Sequence, residues 1–308
     1  MNIYLDIIPE ISSAIDAGEP VVALETNLIT YGIPYPDNIQ FARDYEQLIR
    51  DHGAVPALTA IMDGKLKVGL SDDELAQIAV PANSPKASRR DMPQLIANKQ
   101  IGATTVASTM IIAEMAGIKV FCTGGIGGVH REAQKTFDIS ADLQELAKSN
   151  VAVLSAGAKS ILDLPLTMEY LETMGVPVIG LRTSSFPAFF CRESGLAVDH
   201  RCETEAEVAR IIKAKWDMGI KGGIVIGNPI PEEAAMDYDE MDSVIQQAIK
   251  EADRLGVKGK EVTLFLLAEI KKLTDGSSFT SNLELLYHNA RNSSKLAVEL
   301  SALYRQEA

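Results

Sequence analysis

A lysine set among small residues and a pair of aspartates are the groups in this sequence whose types and spacing most suggest covalent and metal chemistry. The apolar run Val151–Ser155 leads into Ala156-Gly157-Ala158-Lys159-Ser160. An amine at such a strand end is a candidate for a lowered pKa, and so for nucleophilic or Schiff-base chemistry. A lysine that extends its head to solvent fits the same spacing. Upstream, Asp138-Ile139-Ser140-Ala141-Asp142 opens a helix. One aspartate or Ser140 could cap it, but two carboxylates four residues apart also suit a hard cation such as Mg²⁺ or Mn²⁺ that keeps most of its waters.

Other polar groups stand where apolar strands end. Glu25 closes the run Val21–Thr26 (VVALET), as a general acid raised by burial or as a carboxylate that caps a helix or pairs with an arginine. Lys86, Arg89 and Arg90 put three cations in five residues, which suits a phosphate or a solvated face equally. Gly102-Ala103-Thr104-Thr105-Val106 opens a helix whose free N–H groups could hold an anion, although a threonine N-cap has the same pattern. Four glycines in Thr123–His130 (TGGIGGVH) follow a strand and let backbone approach a ligand closely. This run is neither GxGxxG in full nor a Walker loop, which disfavours a dehydrogenase or a sugar kinase. His130 at its end could be a ligand, an acid/base or a structural histidine.

The elements that must position these groups alternate. Short Val/Ile-rich runs at 21–26, 119–122, 151–155, 176–181 and 223–226 are separated by helices at 104–116, 141–148, 166–174 and 204–218. Pro56–Leu70 reads as a hairpin about Asp63-Gly64. After Pro231 only helices follow, at 232–255, 263–272 and 282–304. The pattern predicts one α/β domain over residues 1–308, with a largely parallel central sheet, helices on both faces and a helical C-terminal portion. In such sheets ligands sit beyond the carboxyl ends of the strands, where the polar groups collect.

Composition sets limits. With 308 residues and a formal charge of −13, the chain is not built for nucleic acid through phosphate neutralisation, though local cations can still hold a small phosphorylated ligand. The start MNIYLDIIPE lacks the pattern of a signal peptide, and no apolar run approaches the ~20 residues of a membrane helix. A cytoplasmic protein without membrane or nucleic-acid partners is expected. Cys122, Cys191 and Cys202 have no metal-ligand or CxxC spacing and read as buried free thiols.

Seven stretches together carry a resemblance: KASRRD (86–91), GATTVASTM (102–110), TGGIGGVH (123–130), TFDISADL (136–143), AGAKSILD (156–163), FPAFF (186–190) and NPIP (228–231). In these the chain resembles the pseudouridine-5'-phosphate glycosidase family, which includes the indigoidine-cluster A proteins, over nearly its whole length. The resemblance implies an α/β/α sandwich and reversible cleavage of the C–C bond between ribose 5-phosphate and C5 of uracil. It implies that Lys159 attacks C1' and passes through a ring-opened imine, that Glu25 donates a proton to the base, and that Asp138 holds Mn²⁺ (or Mg²⁺). It also implies substrate binding by Lys86, Val106, Ser140, Ala141, Asp142, His130 and Asn282, and a homotrimer. A C-glycosidic bond has no leaving oxygen or nitrogen to protonate, so two-carboxylate logic is insufficient and an amine nucleophile makes chemical sense.

One segment departs from the family pattern, which reads ALEST and then HGMP or HGLP. Here Thr26-Asn27 replaces Ser-Thr, and Tyr31 replaces the histidine. The departure surrounds the implied proton donor, so a different aglycone, or synthesis of a C-glycoside, is the alternative reading.

Overall fold

The protein is described from a computed structural model covering residues 2–257 and 261–306. Its strands, in chain order, are β1 (Leu5–Ile7), β2 (Val21–Glu25), β3 (Val55–Met62), β4 (Lys65–Val68), β5 (Lys86–Ala87), β6 (Gly102–Thr104) and β7 (Val120–Cys122). They continue with β8 (Val129–His130), β9 (Ala152–Ser155), β10 (Leu162–Asp163), β11 (Val178–Leu181), β12 (His200–Cys202) and β13 (Ile224–Gly227). The first helices are α1 (Pro9–Asp16), α2 (Asp37–Asp51), α3 (Asp72–Ile78), α4 (Met92–Ala97), α5 (Val106–Ala116) and α6 (Ala133–Thr136). After them come α7 (Ala141–Leu146), α8 (Leu164–Thr173), α9 (Glu205–Asp217), α10 (Tyr238–Leu255), α11 (Glu261–Leu273) and α12 (Ser277–Arg305).

The sheet runs β1-β4-β3-β2-β7-β9-β13-β11-β12, with β6 paired to β3 and β5 to β6. From β3 through β12 every neighbouring pair along this path is parallel. The β3–β4 hairpin is antiparallel, and its turn has positive φ at both Asp63 and Gly64, as a type I′ turn requires. Strands β2 and β9 are buried at every residue, the state of a sheet covered on both faces. Side-chain alternation shows the two covers. Leu24, Leu58 and Cys122 lie in register, and the Cys122 thiol meets the Tyr45 hydroxyl of α2 at 3.2 Å. The next residue of β3, Thr59, turns to the other face and meets Thr109 of α5 at 3.0 Å.

The long strands and the purely helical C-terminal quarter match the sequence pattern. Three details differ. Gly102–Thr104 is strand β6 rather than the opening of a helix; a Cβ on Gly102 would lie 2.7 Å from Leu95 and 2.9 Å from Ala87, so glycine permits this close pairing. Helix α5 begins one residue beyond Thr105. The expected helix over 232–255 is split: the Met236 N–H is drawn to the Phe190 carbonyl at 2.9 Å, and Asp237 accepts the Glu240 N–H at 3.0 Å to start α10 afresh. The three cysteines are free and buried, and burial pushes the Cys122 thiol up to about 11 and Cys191 up to about 12. Among the described residues no helix is long and apolar enough to cross a membrane.

The aspartate pair divides within this frame. Asp142 is 7% exposed, and its carboxylate accepts the Ala107 N–H in the first turn of α5 at 3.0 Å and the Gly127 N–H of the glycine loop at 2.9 Å. A charged acceptor there binds the positive end of α5 and fixes the loop against it. Gly127 has no room for a side chain, since its Cβ would lie 2.3 Å from Ser140 Oγ and 2.6 Å from Asp142 Oδ2. Asp138, with 44% of its side chain exposed, makes no comparable tie. Asp142→Ala is therefore expected to destabilise the fold by about 2–4 kcal/mol, whereas Asp138→Ala stays within about 0.5 kcal/mol of wild type. Urea unfolding of the two variants checks this; equal midpoints would contradict it.

Candidate active site

Parallel strands bring their carboxyl ends to one edge, and there β2, β7, β9 and β13 deliver Glu25, Thr123, Ala156 and Asn228 side by side. Past the sheet, the chains after β7 and β9 stay paired. Ala156 N–H bonds to the Gly124 carbonyl at 2.9 Å, Ile126 N–H to Gly157 at 3.0 Å, and Lys159 N–H to Ile126 at 3.1 Å. This pairing needs glycine. Gly157 has φ +78° and lies so close to Pro187 that a Cβ would be 1.9 Å from the carbonyl oxygen of that residue. The FPAFF segment is thus the backing of the loop that carries Lys159, held also by the Phe189 N–H to the Ala156 carbonyl at 2.9 Å.

A cavity of about 660 Å³ opens at this edge and is lined by Glu25, Lys86, Val106, His130, Asp138, Ser140, Ala141, Asp142 and Lys159. An adjoining space shares Glu25, Asn27, Lys86, Lys159 and Thr263 with it and adds Asn282. All the residues given a catalytic, substrate-binding or metal role from the resemblance thereby line one continuous site. A separate cavity of about 330 Å³, between Arg131 and α10, contains none of the residues given a catalytic, substrate-binding or metal role.

The site divides by chemistry. Lys86, Arg89, Arg90 and the Thr105–Val106 helix start line the larger cavity, giving local positive potential in a chain of net charge −13. Arg89 is anchored by an ion pair to buried Glu145, while Arg90 is 78% exposed. The adjoining space is bounded by Leu28, Tyr31, Phe189, Leu264 and Leu267, the surface that a flat, weakly polar ring requires.

Titration is set by burial. Glu25 is 5% exposed and accepts the Thr123 hydroxyl at 2.5 Å. Burial raises its carboxyl above the usual range, against the lowering pull of the Lys159 ammonium and of that hydrogen bond. Burial also lowers the His130 imidazole; Lys86 and Lys159 act in the same direction and Asp138 opposes them. His130 Nδ1 is 3.9 Å from Asp138 Oδ2, and the His130 backbone N–H bonds to the Asp138 carbonyl at 3.0 Å. Ser140 caps α7, its hydroxyl accepting the Asp142 N–H at 3.2 Å.

Sequence reasoning missed Thr123 as the partner of Glu25, because only the sheet order puts β7 beside β2. It also missed Thr263 on α11 and the buried amides that fasten α12 to the loop. Asn289 donates to the Thr123 carbonyl at 2.9 Å and accepts from Asn228 at 2.8 Å, and Asn292 donates to Asn228 at 2.8 Å. The NPIP segment was the visible half of that network. Tyr31, where the family pattern has histidine, donates its hydroxyl to the Ser84 carbonyl at 2.9 Å.

A chain from Clostridium botulinum named pseudouridine-5'-phosphate glycosidase is 58% identical over 301 residues, covering 97% of this chain and 98% of that one. One of the same name from Caldanaerobacter subterraneus is 57% identical over 306 residues, covering 99% and 100%. Among solved structures, the prealnumycin C-glycosynthase AlnA in complex with ribulose 5-phosphate superposes with a TM-score of 0.93 at 39% identity, covering 99% of this chain and 100% of that one. An indigoidine synthase A-like protein from Thermotoga maritima superposes with a TM-score of 0.87 at 34% identity, covering 98% of each chain. The family model described as indigoidine synthase A like protein matches residues 10–299. The chain therefore belongs to the indigoidine synthase A-like family.

Proposed function

We propose that this protein is a pseudouridine-5'-phosphate glycosidase, which reversibly cleaves the bond between C1' of ribose 5-phosphate and C5 of uracil. The observation that carries the reading is the meeting of Lys159 with a buried Glu25, its carboxyl raised by burial, at the junction of a cationic and an apolar cavity. Relatives of that name at 57–58% identity over nearly the full length support it. In this reading the phosphate lies toward Lys86, Arg89 and the Val106 helix start, with C1' at Lys159 and the base between Tyr31, Phe189, Leu267 and Asn282.

The Lys159 amine bonds to C1' as the C1'–O4' bond breaks, and a proton of the attacking nitrogen passes to O4', which leaves as a hydroxyl. The C1'–C5 bond then breaks; its electron pair stays on C5, which takes the proton of Glu25, while the nitrogen lone pair forms a C1'=N iminium. Water adds to the iminium, releasing open-chain ribose 5-phosphate and the free amine and returning a proton to Glu25. Dividing the reaction at a covalent intermediate removes the need to expel a carbanion unaided. Glu25 suits its part because burial favours the protonated carboxyl. Asp142, with both oxygens on backbone N–H groups, shapes the sugar site from behind.

Asp138 is the residue proposed to hold Mn²⁺ or Mg²⁺. Among the described residues no group of three or more His, Cys, Asp or Glu side chains is placed to hold a metal ion. One partly exposed carboxylate on the cavity wall fits a cation that keeps most of its waters, rather than one caged by protein. When bound, such an ion supplies positive charge and oriented waters beside the sugar phosphate. Asp138→Ala is expected to weaken Mn²⁺ binding at least tenfold when followed by electron paramagnetic resonance; unchanged binding would remove the assignment.

The likeness to a C-glycosynthase favours one second reading, joining of ribose 5-phosphate to another aromatic ring. Release of uracil from pseudouridine 5'-phosphate separates the two. Borohydride added with ribose 5-phosphate should leave a reduced sugar phosphate on Lys159, seen by peptide mass, and none on Lys159→Met; a mass shift elsewhere, or none, defeats the nucleophile assignment.

Glu25→Gln should retain that adduct yet lose about 10²–10⁴-fold in cleavage. Because burial raises Glu25 in the folded state, its contribution to stability is full below its unfolded pKa and is lost as pH rises through the folded value. Wild type should therefore fall behind Glu25→Gln in Tm as pH rises above 4.5, the ordinary glutamate value. A difference that stays constant with pH would show that burial does not raise Glu25.

A further inference from the structure

Resting on the glycosidase reading, we infer that Asn27 is the residue that reads the polar edge of the base, its side-chain amide pairing with the N3–H and C4=O groups of uracil. Asn27 lines both halves of the site, two residues beyond Glu25. Its Oδ1 is buried and has no hydrogen-bond partner. A buried carbonyl oxygen left unpaired costs about 1–3 kcal/mol, so it needs a donor that the free protein does not provide. Four buried side-chain atoms among the described residues lack partners, on Asn27, Asn38, Ser160 and Glu205, and Asn27 alone of these residues lines the cavity that holds Glu25 and Lys159.

Its neighbours have no such vacancy. Thr26 Oγ1 donates to the Thr59 carbonyl at 2.8 Å, and Thr30 Oγ1 to the Ile78 carbonyl at 2.8 Å. The backbone between them enters a π-helical turn, Leu28–Gly32, immediately after Asn27. Thr26 and Thr30 thus fasten the turn to the scaffold on either side, while the Asn27 amide serves no structural bond.

The chemistry fixes which edge is read. Proton transfer from Glu25 to C5 places C5 against Glu25, and C4=O with N3–H is the polar edge bonded to C5. A carboxamide has one acceptor and an NH₂ donor in the spacing of that edge, as in bidentate readout of bases. Leu28, Phe189 and Leu267 supply apolar contact but no hydrogen bond.

The test compares pseudouridine 5'-phosphate with its N3-methyl derivative, in wild type and in Asn27→Leu, which keeps side-chain size and loses the amide. Wild type should prefer the unmethylated substrate by about 10- to 100-fold in kcat/KM. In Asn27→Leu that preference should collapse toward unity through loss on pseudouridine 5'-phosphate alone. Borohydride trapping of ribose 5-phosphate on Lys159, which involves no base, should match wild type and so report an intact fold. If trapping falls, Asn27→Ala takes its place under the same criteria. A preference that survives in the variant, or is absent from wild type, overturns the inference. Failure of wild type both to cleave pseudouridine 5'-phosphate and to trap ribose 5-phosphate instead defeats the glycosidase reading, and the inference with it.

Discussion

Two chain segments that leave neighbouring parallel strands and remain paired as glycine-rich backbone are the constraint on which the site depends. The runs after β7 and β9 exchange hydrogen bonds from Gly124 to Lys159, beyond the last regular residues of the sheet. Side chains would not fit between them, because Phe189, Pro187, Ser140 and Asp142 press from the outside. The result is a rigid shelf that carries Lys159 out over the carboxyl ends of the strands and keeps its backbone polar groups satisfied. A loop in an ordinary sense would leave the amine free to wander, whereas the shelf restricts it to the mouth of one cavity.

Three carboxylates at this edge show how environment divides one functional group into separate roles. Glu25 ends a strand that is buried throughout, and with one hydroxyl donor it retains its proton to higher pH. Asp142 is equally buried, but it meets two backbone N–H groups, one of them at a helix start, and serves as a charged brace. Asp138 stands at the rim, partly exposed. Burial favours the acid at Glu25, two backbone donors make Asp142 a brace, and exposure leaves Asp138 open to a cation.

The C-terminal helices complete the site from the opposite direction. Helix α12 inserts Asn289 and Asn292 into a chain of buried amides that ends on the glycine shelf, so its packing and the position of Lys159 are linked. It also carries Asn282 to the cavity, and α11 contributes Thr263, Leu264 and Leu267 to the apolar side. The part of the chain that reads from sequence only as helix thus encloses the end where the base is proposed to lie.

Much of this was legible without coordinates. Alternating apolar runs and helical segments determined a parallel sheet, because a strand buried on both faces has little choice but continuous apolar residues. Polar and glycine-rich motifs at strand ends marked the site, since groups placed there have no part in the sheet. Short elements such as β5, β8 and β12 were not legible, for two or three residues show no periodicity. Spacing alone could not divide Asp138 from Asp142, because a carboxylate's role depends on the donors that surround it. Those donors, Ala107 and Gly127, are 35 and 15 residues away in the chain. The chain alone determined which groups are present and which edge of the fold they occupy. Tertiary structure decided their protonation, their partners and the unpaired oxygen of Asn27, because burial and hydrogen bonding are properties of what packs around a side chain.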